Sequence, residues 1–351
     1  MKIQELLDLV CERKASDLHL VAGFPPMIRI EGVLAPVGNT EVLTTEEVLG
    51  FLKEIVNEER LQSFWAKKEL DFSLNLLGKA RFRVNAYFQE GSPALSLRRI
   101  PLLIPEVSTL GLPKAITSLT NLKQGFVLVT GPTGHGKSTT LASLVNLINL
   151  TRAEHIITVE DPIEFIFPLG KSLVSQREVG SDTLMWGDAL RAILREDPNV
   201  VLVGEMRDFE TVSSAMTVAE TGHLVFSTLH TNSAAQTVDR VIDVFPKEQQ
   251  DQARAQLATT VEAVISLRLV PAINGSRALA YELMLGTTAI RTSIREGKTH
   301  LINNIITTSS ELGMISLDMN LAELVKSGMI TYEVAQAYSL NPTELNRLVK
   351  N

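Results

Sequence analysis

At residues 131–139 the chain reads Gly131-Pro132-Thr133-Gly134-His135-Gly136-Lys137-Ser138-Thr139, which matches the pattern G-x-x-x-x-G-K-[ST]. An apolar run precedes it at 125–130 and a helical pattern follows at 140–145, so we predict a buried strand, a glycine-rich turn and a helix. Glycines let such a turn curl until successive N–H groups point at phosphate oxygens, and the helix N-terminus adds partial positive charge. Lys137 is expected to reach the β- and γ-phosphates, and the Ser138 hydroxyl to bind Mg²⁺. The stretch therefore predicts a nucleoside triphosphate site made by Pro132, Thr133, Gly134, His135, Gly136, Lys137, Ser138 and Thr139.

Length and composition place limits on the class of protein. The chain has 351 residues, of which 45% are hydrophobic, so two domains of ordinary size are expected. The net charge of −7 gives no support to binding of nucleic acid or anionic lipid. A single cysteine, Cys11, excludes an internal disulfide and a cysteine zinc cluster within one chain. The first residues do not lead into a signal peptide and no apolar run has the length of a membrane span, so we expect a soluble cytoplasmic protein.

The first hundred residues predict a small α+β domain on an antiparallel sheet. A helical pattern covers 3–14, a hairpin is expected at 15–21 and 27–32, and strand-like runs follow at 69–76, 80–88 and 94–100. Thr44 and Glu47 have the spacing of a capping box that begins a helix. Alternation places Arg81 and Arg83 on one face of a strand, either as a solvated surface or as contacts to a phosphate across a subunit boundary.

Residues 101–113 read as a proline-bounded linker, and from 114 the pattern alternates between strand and helix. Short apolar runs at 125–130, 155–160, 199–204 and 223–228 predict a parallel sheet with helices on both faces, which is a RecA-like core. Further strands are expected near 264–270 and 278–284, and a helical subregion from about 287 to 351. Arg191 and Arg195, one helical turn apart, are expected to share a face, either as a solvated stripe or facing a neighbour's nucleotide.

Polar residues follow three of the predicted parallel strands, at the edge where this fold class binds ligands. Glu160, Asp161 and Glu164 end the second strand, and they would either act on water and Mg²⁺ or form an acidic turn that caps a helix. Glu205 ends the third strand, where Gly204 precedes the acid, and we expect it near the metal. His230 ends the fourth strand, either as a γ-phosphate contact or as a structural histidine.

Taken together, these motifs resemble those of the secretion and type IV pilus ATPases. The Walker A, Asp box, Walker B and His box of that family correspond here to residues 131–140, 159–164, 203–208 and 227–231. Shorter matches at 15–19, 81–85, 243–246, 289–291 and 294–298 extend the resemblance over nearly the whole chain. Assembly and secretion members have an additional N-terminal domain and usually a four-cysteine zinc motif. Since this chain starts at the small domain and has one cysteine, the resemblance favours the retraction branch.

The resemblance implies a homohexameric ring that hydrolyses ATP with Mg²⁺ and works an inner-membrane platform protein, so that pilin subunits leave the fibre. It implies a PAS-like N-terminal domain and a position peripheral to the cytoplasmic face of the inner membrane. Glu164 would be the general base, Glu205 the Walker B acid near Mg²⁺ and His230 the γ-phosphate contact. The small domain would contribute charge-stabilising arginines, which are Arg81, Arg83 and Arg98.

Two departures from the family pattern concern the phosphate loop and a basic helix. His135 replaces a small residue, often serine, and we expect it to be inert because the backbone cradles the phosphates, although an imidazole there would also be able to contact the nucleotide or change turnover with pH. The basic segment reads Arg291-Thr292-Ser293-Ile294, where the family tends to have Arg-Asn-Leu-Ile. The resemblance implies that this segment, with Arg291 and Arg295, is needed for retraction and not for hydrolysis; by spacing alone the two arginines form a basic helix face.

Three alternatives remain open at this stage. The first is a pilus assembly or type II secretion ATPase of the same superfamily. The second is a DNA-pumping ring, which requires a basic channel that a net charge of −7 does not favour. The third is an adaptor that is switched by nucleotide without hydrolysis, against which Lys137, Glu164 and Glu205 argue.

Overall fold

In the computed structural model, the described residues are 2–30, 32–38, 40–76, 78–100 and 103–350. Glu31 of the predicted hairpin and Pro101 and Leu102 of the predicted linker lie outside them. The chain forms two units, one of Met1–Leu103 with Pro162–Ile166 and one of Ile104–Asp161 with Phe167–Asn351. Among the described helices, none combines the length and the apolar character needed to cross a membrane.

The first unit is a six-stranded antiparallel sheet with three helices, in the strand order β3-β2-β1-β6-β5-β4. Thr44 accepts a hydrogen bond from the Glu47 amide, and the Glu47 carboxylate accepts one from the Thr44 amide, so the predicted capping box is confirmed. The elements are α1 (Ile3–Glu12), β1 (Asp17–Val21), β2 (Met27–Ile30), β3 (Val33–Pro36), α2 (Thr45–Ile55), α3 (Glu58–Lys67), β4 (Glu69–Leu76), β5 (Ala80–Gln89) and β6 (Ser92–Ile100).

The second unit contains a seven-stranded sheet in the order β13-β12-β7-β11-β10-β8-β9. Its parallel part is β12-β7-β11-β10-β8-β9, and β13 pairs antiparallel with β12. The strands are β7 (Gly125–Thr130), β8 (His155–Glu160), β9 (Leu173–Glu178), β10 (Val200–Val203), β11 (Leu224–Leu229), β12 (Val261–Pro271) and β13 (Arg277–Leu285). The predicted parallel sheet is confirmed, and β7, β10 and β11 are buried throughout, as a sheet covered on both faces requires.

Helices pack on this sheet and continue beyond it to the C-terminus. They are α4 (Lys114–Ser118), α5 (Lys137–Thr151), α6 (Trp186–Ile193), α7 (Phe209–Glu220), α8 (Ala234–Asp243), α9 (Gln250–Thr260), α10 (Thr288–Arg295), α11 (Ile302–Thr308), α12 (Leu317–Lys326), α13 (Tyr332–Tyr338) and α14 (Pro342–Lys350). A main core forms between the sheet and helices α6 to α11. A second apolar cluster packs the end of β12, at Val270, and the start of β13, at Ala278 and Ala280, against α12, α13 and α14. The predicted helical C-terminal subregion is therefore confirmed.

Candidate functional site

The glycine-rich stretch forms the turn from β7 into α5, and its backbone conformation explains the glycines. Gly134 and Gly136 have φ of +80° and +89°, values in the left-handed region that other residues rarely adopt. At Gly131 an added Cβ would lie 2.5 Å from the carbonyl oxygen of Leu267 on β12. The turn is therefore curled with its backbone against a neighbouring strand, as the sequence predicted for a phosphate-binding loop.

Lys137 opens α5 and is buried, with its ammonium group turned onto the loop. Its Nζ donates to the carbonyl oxygens of Gly131 at 2.8 Å and Pro132 at 3.1 Å. An ammonium held over a curled backbone adds positive charge where the loop amides converge, which fits a phosphate group. The other predicted loop residues lie on the same turn, with Thr133 and Gly134 exposed and Pro132, His135, Gly136, Ser138 and Thr139 half-buried.

The strand order brings the predicted polar residues to one edge of the sheet. Since β7, β11, β10 and β8 are parallel neighbours, the loop, His230, Glu205 and Glu160 all follow carboxyl ends on the same side. Gly204 precedes Glu205 where β10 passes β8, and an added Cβ there would lie 3.3 Å from both Glu160 Cα and Val159 O. This crowding accounts for a glycine at the position before the acid.

A chain of hydrogen-bonded side chains connects the phosphate loop to the end of β10. His230 Nε2 lies 3.0 Å from Glu205 Oε1, and His230 Nδ1 lies 3.4 Å from Lys137 Nζ. A neutral imidazole satisfies both contacts, because Nε2–H donates to the carboxylate while Nδ1 accepts from the ammonium. Thr133 Oγ1 also lies 3.5 Å from Nδ1. Of the two sequence interpretations of His230, its position favours a role beside the phosphates.

Glu205 is set up to remain ionised. Partial burial raises the pKa of its carboxyl, but the hydrogen bond from Arg207 and the positive charges of Arg207 and Lys137 outweigh burial and bring the pKa below its usual range. Arg207 Nη2 donates to Glu205 Oε2 at 2.9 Å. An ionised carboxylate at a strand end is suited to bind Mg²⁺ directly or through water.

The acidic cluster after β8 is divided between the two units. Glu160 is buried, and its Oε1 accepts hydrogen bonds from Thr158 Oγ1 at 2.7 Å and Gln176 Nε2 at 3.4 Å. Glu164 lies in the segment Pro162–Ile166, which belongs to the first unit. No helix begins at Asp161 among the described residues, so the alternative that this acidic turn caps a helix is wrong.

The predicted arginines of the first unit lie on adjacent strands of the antiparallel sheet. Arg81 and Arg83 share the face of β5 opposite the buried Phe82, and Arg83 pairs in register with Arg98 of β6. Arg81 is buried and donates to Ser73 Oγ, whereas Arg83 is exposed. Arg98 Nε lies 2.9 Å from Asp17 Oδ1, with 73% of the arginine side chain exposed.

Sequence reasoning missed a polar group on β12 and β13 behind the loop that follows β11. Arg268 Nη2 donates to Asn232 Oδ1 at 2.8 Å, and Glu282 accepts from the Ala234 amide at 2.7 Å where α8 begins. Burial, as the largest influence, raises the pKa of Glu282. The available signal was a charged residue set among apolar neighbours well inside each strand, Arg268 in β12 and Glu282 in β13.

Two expectations about paired arginines are wrong. Helix α6 ends at Ile193, so Arg195 lies in the following turn and does not share a helix face with Arg191. Arg191 pairs with Asp188 and Glu210 of its own chain. Arg291 and Arg295 do not form a basic helix face, because the Arg291 guanidinium is drawn against the backbone and held by Gly286 O, Ala258 O, Thr259 O and the Glu262 carboxylate.

Comparison with known proteins identifies close relatives along nearly the whole chain. The family model described as type II/IV secretion system protein matches residues 2–334. PilT of Pseudomonas aeruginosa, a type IV pilus retraction ATPase, is 47% identical over 336 residues, which make up 96% of this chain and 97% of that protein. A twitching motility protein of Neisseria gonorrhoeae is 42% identical over 93% of this chain and 87% of that protein. The crystal structure of the pilus retraction motor PilT with bound ADP matches with a TM-score of 0.93 at 47% identity, covering 99% of each chain.

Proposed function

The chain belongs to the type II/IV secretion system protein family, and we propose that it is an ATP-hydrolysing motor that powers the retraction of type IV pili. The observation that carries this proposal is the hydrogen-bonded chain from Lys137 through His230 to Glu205. It links the phosphate loop to the carboxylate at the end of β10, so the γ-phosphate contact and the metal-side acid act as one unit.

The nucleotide is ATP, and its phosphates bind the curled backbone of residues 132–139 together with Lys137. Ser138 and Glu205 would hold Mg²⁺, Glu205 partly through water, and the ion would neutralise charge that develops on the transferred phosphoryl group. Support comes from the positive φ values at Gly134 and Gly136 and from the lowered pKa of Glu205, which keeps an anionic oxygen ligand at neutral pH.

Catalytic roles are assigned by the family motifs. Glu164 accepts the proton of the attacking water, His230 contacts the γ-phosphate, and Glu205 orients the metal and its water. Stabilising positive charge comes from the first unit. The candidates on its adjacent strands are Arg81, Arg83 and Arg98.

The motor works as a homohexamer, peripheral to the membrane at the cytoplasmic face of the inner membrane. Its direct partner is the inner-membrane platform protein of the pilus, and the pilin fibre is moved indirectly. Nucleic acid is not expected as a partner, because the net charge of −7 does not favour a polyanion.

The first test compares ATPase activity with oligomeric state for purified wild type and Glu205→Ala, with Glu210→Ala as the control. Glu210 is another carboxylate that accepts from an arginine, but it lies in the first turn of α7 and its arginine is Arg191 of α6. We expect Mg²⁺-dependent hydrolysis in the hexamer, retained in Glu210→Ala and reduced at least about a hundredfold in Glu205→Ala.

Three results would contradict the proposal. ATP hydrolysis by the monomer would show that the activity needs no ring. A well-formed hexamer that binds ATP without turnover would favour the nucleotide-switched adaptor. An active hexamer that restores pilus assembly in a strain lacking its assembly motor, and does not restore retraction in a strain lacking its retraction motor, would favour an assembly ATPase.

A further inference from the structure

His135 makes a contact that the phosphate-loop pattern does not require. Its imidazole Nδ1 accepts a hydrogen bond from the backbone amide of Leu269 on β12 at 2.9 Å. The ring therefore faces the sheet, and the expectation that the side chain is inert takes no account of this contact. His135 and Leu269 are 134 positions apart in the chain, so the bond closes a long-range connection inside the second unit.

The position of Leu269 explains why an acceptor is needed there. Strand β7 ends at Thr130, which pairs with Ser266 of β12, while β12 continues to Pro271. Leu269 thus lies beyond the last residue of β7, where the phosphate loop takes the place of the neighbouring strand. The His135 ring supplies to this amide the acceptor that a longer β7 would have supplied.

Other close contacts show that the loop rests on the same part of β12. A Cβ at Gly131 would lie 2.5 Å from Leu267 O, and one at Gly136 would lie 3.8 Å from Leu269 Cδ1. The loop therefore packs against Leu267 and Leu269 of β12. The bond from the Leu269 amide to the His135 imidazole is a side-chain hydrogen bond at this contact.

The chemistry of the contact requires one protonation state. Because the Leu269 amide donates, Nδ1 must carry a lone pair, so the ring is the neutral tautomer with its proton on Nε2. The charged groups around it are Lys137 of α5, Arg268 of β12 and Arg277 of β13. Burial, followed by these three positive charges, lowers the pKa of His135 below its ordinary value.

We propose that His135 is a positioning residue, whose neutral imidazole holds the phosphate loop on β12 in the conformation that binds nucleotide. The inference rests on the proposed use of this loop for ATP phosphates. When the ring gains a proton, Nδ1–H faces the Leu269 N–H, the bond is lost and the loop must be ordered by the nucleotide itself. Affinity for nucleotide then falls as the pH falls through the lowered pKa of His135, which lies below the ordinary histidine value.

The test uses the full-length protein and a fluorescent ADP analogue, titrated at pH values from about 8 to about 5.5. His135→Asn places an amide oxygen near the position of Nδ1 and does not titrate, so it keeps the acceptor. His135→Leu has a similar size and no acceptor. Ionisation of the nucleotide affects all three proteins alike, so the ratio of dissociation constants between wild type and His135→Asn isolates the effect of the ring.

We expect His135→Leu to bind about three- to tenfold more weakly at pH 8, the range that one ordinary hydrogen bond represents, and His135→Asn to recover most of the loss. On acidification the wild type weakens relative to His135→Asn by a similar factor. Apo melting temperatures check that the variants are folded, and His135→Asn alone suffices for the pH comparison if the leucine variant is not.

A constant ratio across the pH range, or wild-type affinity in folded His135→Leu, would overturn the positioning role while leaving the ATPase proposal intact. Failure of the wild type to bind the analogue at any pH would instead remove both proposals.

Discussion

At the scale of single residues, the site depends on donors and acceptors that match in one protonation state. His230 links Lys137 to Glu205 as a neutral ring, and Glu205 keeps its charge because Arg207 and Lys137 outweigh the effect of burial on its pKa. These groups touch each other across elements that begin far apart in the chain. A change in one of them is therefore expected to alter turnover more than binding.

Replacing His230 by alanine should lower kcat by about ten- to hundredfold while changing the dissociation constant for ADP by less than about threefold. The physical reason is that in the proposed site the ring would contact the γ-phosphate while it orients Glu205, whereas the loop backbone would still bind the other phosphates. Steady-state ATPase kinetics and nucleotide titration measure the two quantities.

The matched control is His223→Ala, at the opposite end of β11. There His223 Nδ1 contacts Val218 O at 2.9 Å, remote from the loop along the strand. Equal losses of kcat in the two variants would contradict the assignment of His230 to the phosphates.

At the scale of elements, one arginine connects the end of a helix to the beginning of another. The carbonyl groups of Ala258 and Thr259 lie in the last turn of α9, where a helix supplies no amide of its own to bond them. Arg291 of α10 donates to these two oxygens at 3.1 and 2.5 Å. The same guanidinium binds Glu262 Oε1 at 2.7 Å. Arg291 is thus a cap for α9 as well as a residue of the segment that the family motif associates with retraction.

Arg291→Ala should destabilise the second unit by about 2 kcal/mol, because several hydrogen bonds to one half-buried charge are lost together. Trp186 packs on the core of that unit, so its fluorescence in a Trp65→Phe background reports unfolding of the second unit alone. Arg295→Ala is the control, since Arg295 is exposed at the end of the same helix. Equal unfolding midpoints for the two variants would show that the cap contributes nothing.

At the scale of the whole molecule, the question is whether each nucleotide site needs a second subunit. Arg83 is exposed on the sheet of the first unit, which leaves it available to another chain. A ring of heterologous contacts places the same pair of surfaces at every boundary. In the proposed ring, arginines of one subunit would stabilise charge at the nucleotide held by the carboxylates of the next.

Mixing subunits tests this arrangement directly. Arg83→Ala and Glu205→Ala are each expected to be inactive alone, and a one-to-one mixed hexamer should recover about a quarter of wild-type ATPase activity if Arg83 acts between subunits, since half the sites keep Glu205 and half of those meet an intact arginine. The two variants are mixed as denatured subunits and refolded together to form mixed rings. The comparison is a sample in which each variant is refolded separately and the finished rings are then combined. Recovery in the separately refolded sample, or none in the mixed ring, would contradict a role between subunits.

Local patterns identified most of the secondary structure and missed two strands. Strand β9 reads Leu173-Val174-Ser175-Gln176-Arg177-Glu178, with little apolar alternation, and it pairs only with β8 at the edge of the sheet. Strand β3 is similarly at an edge and largely exposed. These two edge strands bury little surface, so their sequences show no strong period.

The sequence by itself determined the phosphate loop, most of the order of strands and helices, and the residues at the carboxyl ends of β8, β10 and β11, because these depend on local spacing and on the direction of parallel strands. Only the tertiary structure decided that His135 faces Leu269, that Arg291 caps α9, and that Arg268 and Glu282 support the loop before α8. Each of these contacts joins residues that are distant in the chain, and a side chain's partner there is chosen by packing and by the need to satisfy buried polar groups.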